Sequence, residues 1–183
     1  MRKTMVFLTV VVSVLSSAAS VRAQDNAGNT YLGVKACAGM CHKLEKQGNQ
    51  LGIWEKTGHA QAYTTLTTAK ANDIAKAKGL AKPAAESPEC LQCHTVRADA
   101  NVDIKDGVQC EICHGPGSGY KSMSVMKDKA KSIAAGMTEY KDDAAIEKQC
   151  RNCHNEKSPT FKEFNFQERW AKVRHPTPKT PNP

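Results

Sequence analysis

Wherever apolar and polar positions alternate regularly along the 183 residues, the period is helical. His59, Tyr63 and Leu66 fall on one face at spacings of four and three, which predicts one amphipathic helix from Ile53 to about Leu66. Thr68 to Gly79 predicts a second helix, rich in Ala and Lys and stopped by Gly79 and then Pro83. Ser87-Pro88-Glu89 supplies a cap, a first-turn proline and an acid, opening a short helix over Cys90 to His94. Asp143 to His154 predicts another. Asn165 caps a last one through Val173, with Phe166, Trp170 and Val173 on one side and His175 directly after it. No stretch reads as a convincing strand, so the fold class is mostly α, with short helices and long loops.

The two ends differ from the rest. Arg2 and Lys3, an apolar run from Met5 to Leu15 and the small-x-small triplet Val21-Arg22-Ala23 predict a secretory signal peptide over residues 1–23, cleaved after Ala23. The apolar run is too short to span a bilayer, and Thr9 and Ser13 interrupt it. The first cysteine is Cys37, which leaves no lipid attachment point at the cleavage site. The mature chain is therefore expected to be periplasmic or extracellular, with no membrane insertion. At the other end, Pro176 to Pro183 holds four prolines and is expected to be a disordered tail. Residues 24–175 then form one domain by length.

Composition makes that domain unusual. Hydrophobic residues are 40% of the chain and aromatics 5%, which is thin material for a packed core. Net charge is +8, falling to +5 once Arg2, Lys3 and Arg22 leave with the leader. The lysines are scattered through Ala-rich segments rather than clustered, so a nucleic-acid partner is not expected.

The chemistry lies in the cysteines. Cys-x-x-Cys-His occurs at Cys90, Cys93 and His94, at Cys110, Cys113 and His114, and at Cys150, Cys153 and His154. A version with one extra residue runs from Cys37 through Cys41 to His42 and must bulge over Ala38 to Met40. Two cysteines on one helical turn can each bond a vinyl group of one haem, and the next histidine then reaches its iron. Histidine takes 6 of 183 positions, so four such pairs each followed by His would arise by chance on the order of once in a million.

Rival uses explain the pattern less well. Close pairs are poor long-loop disulfides and would need no histidine. Zinc sites do not place His after every pair, and an oxidising compartment argues against iron–sulfur clusters. All 8 cysteines are thus assigned to four haems c, which would themselves form the core, with lysines offsetting propionates. The Gly115 to Gly119 run lacks the Lys-Ser/Thr of a phosphate loop. Its glycines are expected to let backbone pass close to a porphyrin face.

Four irons offer eight axial positions against 6 histidines. His42, His94, His114 and His154 are the attachment-motif ligands, leaving His59 and His175 as distal ligands. Two irons must then use another residue or stay open. Met126 is the candidate, with Met123 behind it, although methionine is also an ordinary core filler.

The residues resemble the tetrahaem cytochrome c-554 family. The resemblance runs over Tyr31-Leu32-Gly33, Trp54 to Tyr63, Glu89-Cys90 to His94, Gly107 to Tyr120 and Cys150 to His154, and is most specific over Gly107 to Gly119. It implies a helical fold around four haems in closely stacked pairs, passing electrons between redox-protein donors and acceptors. Carried over by position, His59 matches the distal histidine after the first cluster and His175 the one near the C-terminus. The departure follows Gly119, where such proteins can place a further distal histidine and this chain offers Met123 and Met126.

Electron transfer is the function the sequence favours. An enzyme reducing a nitrogen oxide at an open iron is one alternative. A subunit of an extracellular filament, self-associating through exposed haem edges, is another.

Overall fold

The computed structural model describes residues 28–39, 41–96 and 102–177. The expected signal peptide, Met40 and the tail beyond Thr177 lie outside them. Among the described residues there are ten short α-helices and no strand. They are α1 (Val34–Cys37), α2 (Gln50–Glu55), α3 (Ala62–Leu66), α4 (Ala69–Ala77), α5 (Pro88–His94), α6 (Cys110–His114), α7 (Met123–Met126), α8 (Lys129–Ala134), α9 (Asp143–Arg151) and α10 (Phe166–Val173). The fold is mostly α, with short helices and long loops.

Local chemistry sets most boundaries. Thr68, Asp128, Asp142 and Asn165 each accept a backbone N–H from the first turn of α4, α8, α9 and α10. Gly79, with φ +70, closes the end of α4, where its N–H reaches Lys76 O and the N–H of Leu80 reaches Ala75 O.

Three expectations need correction. The single helix from Ile53 to Leu66 is two helices, α2 and α3. Between them the Thr57 hydroxyl donates to Trp54 O at 2.7 Å and accepts the N–H of His59 at 3.2 Å, turning the chain out of the helix. His59 therefore lies in the connecting turn and does not share a helical face with Tyr63 and Leu66. Ser87 stands at the start of α5, but its hydroxyl donates to Lys82 O and Pro83 O instead of capping. The helix expected to reach His154 ends at Arg151, and Asn152 to His154 continue as a turn.

One apolar cluster forms, from Leu66, Ala75, Ala84 and Leu91 with Tyr63, Leu80 and Ile104 packed on it. It joins α3, α4 and α5. Elsewhere much of what is buried is polar, including Gln50, Thr57, Gln109, Glu111 and Ser132. Gln50, Gln109 and Glu111 hydrogen bond to backbone far along the chain, so side-chain packing is not all that holds these segments together.

Candidate haem sites

The motif cysteines sit on short helical turns. Cys90, Cys93 and His94 lie on α5, and Cys110, Cys113 and His114 make up α6. Cys150 is near the end of α9, and the N–H groups of Cys153 and His154 both return to its carbonyl. Cys37 ends α1, with Cys41 and His42 in the following turn. None of the eight cysteines is in a disulfide.

Side chains far apart in sequence meet here. Cys37 lies beside Cys110, Cys93 beside Cys153, and Cys113 near Cys150. The first motif thus adjoins the third, and the fourth adjoins both the second and the third. Burial lifts the Cys113 thiol to about 11 and Cys153 to about 12, away from the depressed range of a redox-active cysteine.

The histidines form two pairs. The His59 and His154 rings stand 6.1 Å apart between centroids, and His114 and His175 stand 5.7 Å apart. Two metal–nitrogen bonds of about 2 Å, with each ring centre set further back, place two axial imidazoles roughly 6 Å apart across one iron. Both separations therefore fit a metal held between two histidines. Desolvation, then the nearness of His154, holds His59 below the ordinary histidine range. Desolvation, then His175 and His42, brings His114 down to about 4. His154 is lowered by desolvation, then by Arg169 and His94. A neutral imidazole is the form that binds a metal.

Three of the histidines are held by identifiable partners. His94 Nδ1 lies 2.8 Å from Ala62 O, which makes Nδ1–H the donor and leaves Nε2 free. Phe164 stacks on His154 at 4.8 Å and 19°, and the Arg151 guanidinium lies 5.3 Å from the centre of the Phe164 ring, so Phe164 has both an aromatic and a cationic partner. His59 O accepts the N–H of Val108 at 3.0 Å. A Cβ at Gly107 would strike that same carbonyl, so glycine is required for this approach.

The carbonyls at the end of α6 are also satisfied. Ile112 O receives Gln149 Nε2, Cys113 O receives the Tyr140 hydroxyl, and His114 O receives Thr138 N and the Tyr120 hydroxyl. Met123 and Met126 lie on α7, 57% and 36% exposed, and are not in either histidine pair.

Comparison with known proteins points to one family. The family model described as cytochrome c554 and c-prime matches residues 36–115, which take in three of the four motifs and His59. Cytochrome c-554 of Nitrosomonas europaea is 29% identical over 143 residues. Over residues 36–115 this chain matches the cytochrome c-554 family, and the relative supports the same assignment. The alignment covers 68% of this chain and 57% of that relative, so the chain spans little more than half the relative's length. No solved structure matches.

The family match implies covalently bound haem c as the cofactor, and the cysteine turns and histidine pairs fit it. Among the described residues no helix is long and apolar enough to cross a membrane.

Two buried polar residues of this chain gave little sign of their role in the sequence alone. Glu111, inside the third motif, is 1% exposed. Its carboxylate accepts Leu32 N at 3.0 Å, Gly33 N at 2.8 Å and Gly117 N at 2.6 Å. Gln109, also 1% exposed, accepts Val34 N at 2.7 Å and donates to Asp103 O at 2.8 Å. Together they clamp the segment leading into α1, and so the first motif, onto the third. The available signal was two polar residues flanking Cys110 in the stretch where the family resemblance is most specific.

Proposed function

We propose that this chain is a periplasmic or extracellular electron carrier holding four haems c, at the pairs Cys37/Cys41, Cys90/Cys93, Cys110/Cys113 and Cys150/Cys153. His42, His94, His114 and His154 are the attachment-side ligands. His59 completes the site of His154, and His175 that of His114. The two ring pairs at 6.1 and 5.7 Å carry this reading, because they join residues from distant parts of the chain at the spacing one iron requires. Iron held in this way exchanges one electron between its ferric and ferrous states. The polypeptide's part is to keep the motifs close. The nearness of Cys37 to Cys110, of Cys93 to Cys153 and of Cys113 to Cys150 supports a run of neighbouring haems from the first motif through the third and fourth to the second. Redox proteins are the donor and acceptor.

The test is an intact mass and haem count on mature protein, with electron paramagnetic resonance of its oxidised form. Four haems, an N-terminus at Gln24 and two bis-histidine low-spin irons are expected. His59→Ala and His175→Ala should each convert one low-spin iron to high spin. If neither substitution changes the spectrum, the assignment is wrong.

A second reading has one observation behind it: the two pairs use four histidines and leave His42 and His94 outside them. Either iron there takes Met126 or Met123, or stays open to a small ligand, and an open one could reduce a nitrogen oxide. Carbon monoxide added to the reduced protein separates these, since an unchanged spectrum means every iron is six-coordinate.

A further inference from the structure

The histidine facing His114 comes from a part of the chain with little helical support. Helical bonding in α10 ends where Arg174 N donates to Trp170 O at 2.9 Å, and Arg174 itself is extended at φ −60, ψ 144. His175 follows on this extended backbone and is exposed. Its Nδ1 lies 3.4 Å from Pro176 O, too far for a bond that fixes the ring.

The firmer hold comes from the other end of the domain. Gln50, the first residue of α2, donates Nε2 to Pro176 O at 2.8 Å and to Gln47 O at 2.8 Å. These two acceptors orient the amide. Its Oε1 is buried with no hydrogen-bond partner among the described residues, so the two donor bonds are what keep this side chain inside. Gly48, with φ +102, lies against the same proline, and a Cβ there would come within 2.6 Å of Pro176 Cγ. The cradle is tied to the first motif, because Leu51 N donates to His42 O at 3.0 Å.

We propose that Gly48 and Gln50 form a latch on Pro176 that seats His175 opposite His114, making them positioning residues for an axial ligand. The proposal rests on the reading that His114 and His175 share one iron. Loosening the latch should release His175 while leaving the His59 and His154 pair in place.

The experiment is electron paramagnetic resonance of the oxidised, haem-loaded protein for wild type, Gln50→Leu, Gly48→Val and His175→Ala. Leucine keeps the volume of Gln50 and removes both its donors and its unbonded oxygen. Each latch variant should show, beyond any high-spin signal of the wild type, a large share of the high-spin signal that His175→Ala adds, with the other pair's low-spin signal retained. If His175→Ala itself leaves the spectrum unchanged, the pairing fails and the latch with it. If His175→Ala creates high-spin iron but both latch variants match wild type, the latch is overturned and the pairing stands. Loss of both low-spin signals together also overturns it, because the effect would then be on the whole fold.

Discussion

Replacing Glu111 with glutamine changes one oxygen to an amide in a site that offers only N–H groups. The native carboxylate accepts from Leu32, Gly33 and Gly117, and both oxygens are used. In Glu111→Gln the remaining oxygen can keep Gly117, but the new NH2 faces the N–H of Gly33. The Gly33 N–H and the new NH2 are both left unsatisfied, at about 1–3 kcal/mol each, and the surviving bonds fall from the charged range of about 1.5–3 to the neutral range of about 0.5–1.5 kcal/mol each. The sum is at least roughly 3 kcal/mol, a large part of the ~5–15 kcal/mol that holds a domain together. Guanidinium unfolding of the haem-loaded protein, followed by circular dichroism, measures it. Covalent attachment keeps cofactor loss out of the transition, and comparison at equal slope guards against a change in mechanism. The midpoint should fall by roughly 0.5–1 M. A loss below about 0.5 kcal/mol, the scatter of ordinary surface substitutions, would refute the idea that Glu111 anchors the chain entering α1.

Other substitutions probe the same network. Gly107→Ala places a methyl against His59 O at a residue with φ +74, and should cost at least about 1–2 kcal/mol and turn the His154 iron partly high-spin, read by electron paramagnetic resonance. Trp54→Phe removes the indole N–H that reaches Val108 O at 2.8 Å; a loss of about 0.5–1.5 kcal/mol in the unfolding curve is expected, with unchanged haem content. Asn165→Ala deletes the oxygen that accepts Glu168 N at 3.1 Å and should lower stability by about 1 kcal/mol in the same assay, since α10 leads directly to His175.

The local signals in the sequence were reliable where a side chain acts on its own turn. Asn165 caps its helix as expected, and Gly79 ends α4. The motif turns were equally legible, because Cys-x-x-Cys-His states its own geometry. The connection between α2 and α3 was not. Thr57 and Gly58 do not disturb the spacing of His59, Tyr63 and Leu66, and only the hydroxyl's choice of Trp54 O and His59 N reveals the turn. Periodicity cannot register that choice. Nor could it show which distal histidine faces which motif, since His59 meets His154 and His175 meets His114 only through tertiary structure.

The residues that reasoning missed have a common cause. A chain with a thin apolar core cannot place its ligands by side-chain packing, so it uses backbone groups gathered at one segment. Residues 107–111 supply Val108 N to His59 O, Val108 O to Trp54, the Gln109 amide to Val34 N and Asp103 O, and the Glu111 carboxylate to residues 32, 33 and 117. The third motif begins at Cys110 inside this segment, so whatever fixes that motif also fixes the approach of the first motif and of His59. It follows that tolerance to substitution should run against the usual order. Apolar exchanges in the small cluster around Leu66 should leave the histidine pairs intact, whereas changes at Gly107, Gln109 or Glu111, none of which carries a ligand, should disturb two sites at once.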